Sequence, residues 1–337
     1  MLMKYFQAGS LLLFFATSTI ARADALSEFA AFSAFGKIDI AELAHGDVRT
    51  MSGPPMGGRF LSVQSCFVAP GSAQRQIEAL RQWDPTKHRE LKVFLHGDLT
   101  GSPAGANFSK LKNAPDNSSV NSFVAATADH KNTLQISKDE AKKLPGKASE
   151  GGTIPGEIVA FWSDLLAGRA KSFVSGGTAS QAPYNYGDES IRPNDEINSL
   201  LKQQDKIRKQ FSGLLNQTGI GRGAGSLTPE LYWELLDVDD QGVVTLGASY
   251  NKGDANGGYQ SADVLYYASG GYYVSITLYQ MWPVNVEGKA STLVWRGDMI
   301  SSASLSSLHG VERLGSESAM RKEITKAVTL FRKDTSR

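Results

Sequence analysis

The sequence predicts an α+β fold: an antiparallel sheet followed by a long C-terminal helix, with a helical insertion interrupting the sheet. Three observations carry this. From Val243 to Ser301, four runs rich in Val, Ile, Thr and Tyr are joined by short Gly-containing turns, the pattern of an antiparallel meander. Residues 306–332 then place Val311, Leu314, Ile324, Ala327, Val328 and Phe331 near one helical face, with Arg321, Lys322 and Lys326 near the other. Between 155 and 215, two apolar stripes at helical spacing mark the insertion.

The elements follow in order. Lys4, the apolar run Leu11–Phe15 extended by Ala16 and Ile20, and Ala21-Arg22-Ala23 have the form of a cleavable secretory signal over residues 1–23, leaving Asp24 as the new N-terminus. The run is short for a bilayer span; an uncleaved anchor is the alternative. Residues 24–58 form an N-terminal helical segment, with Leu26, Phe29, Phe32 and Phe35 on one face, a break at Gly36, a second turn through Ile40 and Leu43, and a Gly/Pro-rich connector from Met51. Phe60–Val68 has strand character. Ser72 is a plausible N-cap for a helix carrying Ile77, Leu80 and Trp83, ended by Asp84-Pro85. A second short strand, Leu91–Leu95, leads into His96-Gly97-Asp98.

Residues 100–227 are the insertion. Its loops, 101–119 and 142–156, are rich in Ser, Asn, Gly and Pro or in Lys and Gly. Its helices run over 155–173, with Ile158, Phe161, Trp162, Leu165 and Leu166, and over 194–215, with Ile197, Leu200, Leu201, Ile207, Phe211 and Leu214. Thr228-Pro229-Glu230 has the form of a helix start. Strands are expected at 243–250, 261–268, 272–282 and 291–301.

Composition narrows the function classes. Hydrophobic content is 41% and charged content 20%, ordinary for a globular chain. Losing Lys4 and Arg22 with the signal takes the formal charge from +1 to −1, which argues against a nucleic-acid footprint or broad attraction to anionic membranes. No later stretch has the length and apolarity of a transmembrane span. The single cysteine, Cys66, sits in an apolar run, is expected to be buried and inert, and allows no internal disulfide.

Ser62–Pro85, a strand leading through an Ala-Pro turn into a helix and a Trp-Asp-Pro stretch, and Val264–Phe331, the closing strands and helix, resemble the START-like helix-grip superfamily. The chain is also similar to exported bacterial proteins of unknown function with a helical insertion. The resemblance implies a curved antiparallel sheet gripping the C-terminal helix, built from residues 59–99 and 228–333, with a cavity between them for a hydrophobic small molecule or lipid. Such a cavity needs apolar walls and a few polar handles. Tyr267, Tyr273 and Tyr279, which strand alternation could set on one concave face, and Trp295 and Leu314 are the expected ligand-binding residues. Core filling is the alternative for each.

Chemistry-bearing motifs are sparse. His45-Gly46-Asp47 and His96-Gly97-Asp98 each pair a potential base with a carboxylate, but Gly-Asp favours tight turns and no G-x-S-x-G elbow accompanies them. His88, His130 and His309 lack metal-ligand spacing. Asp237-Val-Asp-Asp-Gln-Gly242 imitates half a calcium loop but has Ala248 where the last acidic ligand belongs, so an ordinary turn is expected. Gly219–Gly225 resembles a phosphate cradle, yet it follows a helix instead of a strand and is expected to be a joint. No cofactor, metal or catalytic residue is implied. The leading expectation is an exported, periplasmic or extracellular, non-enzymatic binder of a hydrophobic small molecule or lipid. The alternatives are an enzyme of the same fold with His or Asp at the cavity mouth, and an envelope interaction protein without a cavity.

Overall fold

The computed structural model describes residues 25–146 and 153–335; the expected signal, residues 1–23, lies outside them. The chain begins with helices α1 (25–32) and α2 (Ile40–Ala44), then strands β1 (Arg49–Ser52) and β2 (Phe60–Pro70). Helix α3 (Ala73–Gln82) starts at Ser72, whose side chain accepts a hydrogen bond from the Arg75 amide as an N-cap should. Strand β3 (Val93–Leu99) precedes the insertion. The insertion holds a 3-10 helix (Gly105–Asn113), α4 (Ser118–Ala128), α5 (Lys138–Ala141), α6 (Gly156–Gly176), α7 (Pro193–Gln203), α8 (Asp205–Gln210) and α9 (Ser212–Leu215). Strands β4 (Glu230–Val238), β5 (Gln241–Gly253), β6 (Tyr259–Ala268), β7 (Val274–Val286) and β8 (Lys289–Ser301) form the meander, and α10 (Gly310–Thr335) closes the chain.

All eight strands belong to one antiparallel, curved sheet in the order β1-β2-β8-β7-β6-β5-β4-β3. The fold is thus α+β with a long C-terminal helix. Some expectations change. The loop expected over 101–119 holds the 3-10 helix Gly105–Asn113 and the start of α4. Thr228-Pro229-Glu230 opens β4, not a helix: Leu231, Trp233 and Leu235 alternate inward at period two. The single helix over 194–215 is three, broken at Gln204, whose amide turns to Ser62 and the Pro54 carbonyl. His96-Gly97-Asp98 is strand, because His96 and Asp98 pair with Glu234 and Tyr232 of β4. Gly97 serves there by its size, since the Trp233 indole fills the space a Cβ would take. The turn expectation holds at Asp239-Asp240, where φ values of 50° and 62° make the two-residue β4–β5 hairpin loop.

The two faces of the sheet differ. The insertion and the N-terminal helices cover one face with the larger core, which contains Trp162, Trp233 and Trp295. Phe173 of α6 stacks on Tyr266 with ring centroids 4.0 Å apart, and Phe32 meets Trp295 at 4.8 Å. Helices α3 and α10 cover the other face over a smaller core of Val63, Phe67, Ile77, Met281, Val294, Ile324, Val328 and Phe331. Burial of each large α10 side chain contributes about 1.5–3 kcal/mol. Thr50–Thr325 (2.7 Å) and Ser52–Glu317 (2.8 Å) hydrogen bonds tie α10 to β1.

Candidate functional site

Alternation along the strands sends every second residue toward α3 and α10. On that face a polar stripe crosses the sheet: Glu230, Ser249, Asp263, Thr277 and Asp298 are successive cross-strand partners from β4 to β8. Beside it runs a second row, Asn251, Ser261, Tyr279 and Arg296. The rows floor a groove of about 330 Å³, roofed by Leu80 and Arg81 of α3, by Trp83 and Pro85, and by Ala327 of α10. That volume lies at the lower end of the usual range for small-ligand pockets.

The charged groups of the floor are mostly paired. The Arg296 guanidinium donates to both oxygens of Asp298 at 2.7–3.1 Å, and Thr277 also donates to Asp298 at 3.0 Å. Arg81 donates to Glu230 at 2.8 Å. His96 Nδ1 lies 3.1 Å from Glu234, and His96 Nε2 lies 3.4 Å from the exposed Asp98 carboxylate. Burial works against the His96 imidazolium, but Glu234 and then Asp98 outweigh it, so the ring holds its proton above its usual pH.

Asp263 is different. Its neighbour is the Tyr232 hydroxyl, which donates to Oδ1 at 2.7 Å, and among the described residues no cation pairs with it. Burial pushes its pKa from 3.8 up to about 7. The Tyr232 hydrogen bond and Arg296 oppose that rise, whereas Glu234 and Asp298 add to it. Tyr232 itself is held well above its ordinary value, by burial first and then by Asp263, so it remains a donor. Its ring also stacks on His96 at 5.6 Å. A carboxyl that titrates near neutrality, a phenol donor and a His–Glu pair therefore stand in one groove, an arrangement able to bind polar groups and to exchange protons with them.

Of the five expected ligand residues, Tyr279 lines this groove, beneath the Arg296 guanidinium at 5.4 Å. Tyr267 faces the insertion, 4.4 Å below the Arg169 guanidinium. A bulge between its pairing with Leu246 and the Leu265–Gly247 pair shifts the alternation and turns Tyr266 and Tyr267 alike into the larger core. Tyr273 lies in the turn before β7, where its hydroxyl donates to Glu189 at 2.8 Å and Arg59 covers its ring. Trp295 packs on the insertion side and donates to Gln64 at 3.0 Å. Leu314 is 63% exposed on the outer side of α10.

Sequence reasoning missed Tyr232, Glu234, Asp263, Arg296 and Asp298. Their signal is the polar alternation Ser261-x-Asp263, Ser275-x-Thr277 and Arg296-x-Asp298. Among the described residues, no cluster of three His, Cys, Asp or Glu side chains is arranged to hold a metal ion, and no helix is long and apolar enough to cross a membrane. Comparison of the chain with protein-family models, curated proteins and solved structures gives no match.

Proposed function

We propose that this is an exported protein that binds a small amphiphilic molecule between its sheet and its C-terminal helix. The observation that carries the reading is the groove itself, with an apolar roof of Leu80, Trp83 and Ala327 over a floor of hydrogen-bonding side chains. A fully hydrophobic ligand would offer no hydrogen bond to the floor groups that lack a partner within the protein, at a cost of roughly 1–3 kcal/mol per such group. A ligand with one polar end satisfies both surfaces. The element order that resembles the START-like group supports the same location, and the N-terminal signal supports export.

The test is binding of N-phenyl-1-naphthylamine, a fluorescent amphiphile, to the protein and to Ala327→Phe, which fills the roof. One probe per protein, with affinity at least tenfold weaker in the variant, is the expected result. Equal binding by both proteins would remove the groove from the account.

A second reading, acid–base catalysis on the bound molecule, is favoured by Asp263, whose carboxyl titrates near neutrality beside Tyr232 and the His96–Glu234 pair. Native mass spectrometry of the purified protein would identify a retained small molecule. Its conversion by the parent protein but not by Asp263→Asn would establish catalysis.

A further inference from the structure

We infer that the groove is built for a ligand carrying a protonated amine, its ammonium group on Asp263 and its apolar body beneath Leu80, Trp83 and Ala327. The inference rests on the groove being a ligand site and adds the chemical class of the ligand.

The argument is one of charge and of unmatched hydrogen-bonding capacity. The titratable and charged groups around Asp263 are His96 and Asp98 from β3, Glu230, Tyr232 and Glu234 from β4, Tyr279 from β7, Arg296 and Asp298 from β8, and Arg81 from α3; β5 and α10 line the groove with uncharged side chains. Each cation among them already has a carboxylate. Arg296 holds Asp298, Arg81 holds Glu230, and His96 lies between Glu234 and Asp98. Asp263 is the carboxylate left over, bonded to a neutral phenol. An ammonium ion supplies the missing charge, whereas a carboxylate or phosphate ligand would meet an acidic floor with no unpaired cation.

The neighbours of Asp263 suit an N–H donor. Ser261 lies two residues along the same strand and on the same face, and Asn251 is its cross-strand partner. Ser261 Oγ and Asn251 Oδ1 are both shielded from solvent and have no hydrogen-bond partner within the protein. Buried polar atoms without partners are uncommon, and two of them in one ligand-sized groove mark acceptors awaiting donors. A primary ammonium has three N–H bonds, matching the Asp263 carboxylate, the Ser261 hydroxyl and the Asn251 amide oxygen.

The test compares decylamine, decanol and decanoic acid, which share a tail and differ in the head, by titration calorimetry below their micellar concentrations. The expected order at pH 8 is decylamine at least tenfold tighter than decanol, with decanoate weakest. Asp263→Asn should erase the amine preference and leave decanol unchanged. Ser261→Ala removes an unpartnered buried hydroxyl, so it should raise the thermal midpoint while weakening decylamine several-fold. That opposition separates a ligand-directed residue from a structural one and does not depend on how well the Asp263 variant folds. Equal binding of amine and alcohol, or an amine preference that survives both substitutions, overturns the amine assignment and leaves the groove standing as a neutral amphiphile site. Binding of none of the three overturns the groove reading as well.

Discussion

The ring of Tyr232 occupies the space that a side chain at position 247 would need. Gly247 is its cross-strand partner on β5, and its lack of a Cβ lets the ring lie across that strand so that the hydroxyl reaches Asp263 on β6. Gly247→Ala is therefore expected to displace the ring and to destabilise the protein by about 1–3 kcal/mol in urea unfolding. The double variant Tyr232→Ala/Gly247→Ala should be less destabilised than the sum of the two single changes, because Tyr232→Ala removes the ring with which an alanine at 247 would clash.

The Asp263 carboxyl gives stability a distinctive pH dependence. Its pKa is near 7 in the folded chain and 3.8 ordinarily, so the folded state holds a proton that the unfolded chain releases between those values. The stabilisation from that proton is complete below pH 4 and is lost as pH rises through 7. Asp263→Asn lacks this dependence. Relative to the parent, the variant should gain stability on the order of 2 kcal/mol between pH 5 and pH 8, read as thermal midpoints across that range. A constant difference across the range would mean that Asp263 is ionised throughout.

Arg169 is 3% exposed, donates to Glu140 and to the Ala182 carbonyl, and lies over the rings of Tyr184 and Tyr267. Removing its partner strands a buried cation. Glu140→Ala is expected to cost about 3–5 kcal/mol in denaturant unfolding, whereas replacing both residues by apolar ones of similar volume should cost far less.

Cys66 is fully buried between β1 and β8, and burial pushes its thiol up to about 12 against a small opposing effect of Arg49. A thiol reagent at pH 8 should find no reactive group in the native protein and one per chain in guanidinium. Rapid native labelling would contradict the packing around β2.

The first 23 residues carry a prediction of their own. The full-length chain, expressed in a secreting bacterium, should be recovered outside the cytoplasm with Asp24 as its first residue, as intact mass would show. An unprocessed, cell-associated chain would instead mean that the segment acts as an anchor.

Strand β2, the meander β5–β8, the closing helix and the Ser72 cap were legible because they are local. Ser72 binds the amide three residues on, and Asp239-Asp240 twists a hairpin through its own backbone angles. The groove was less legible because it depends on parity. One extra residue at Tyr266 moved Tyr267 off the groove side, and no local pattern announces a bulge. His96-Gly97-Asp98 has turn chemistry, yet it lies in a strand because Trp233 needs the room beside Gly97 and Glu234 and Tyr232 pair with its flanks. Asp263 stands out only once three neighbouring strands and two helices are in place around it.

The sheet order has a kinetic consequence. β2, made early, takes its place beside β8, made last, and pairs along eleven residues from Phe60–Ser301 to Pro70–Ser291. Such distant pairing bears a heavy loop-closure penalty and folds slowly. A chain interrupted before Lys289 would expose the edges of β2 and β7 together, each an invitation to intermolecular pairing. During synthesis, the half-made protein therefore depends on whatever keeps those two strands apart from other copies until the last hairpin arrives.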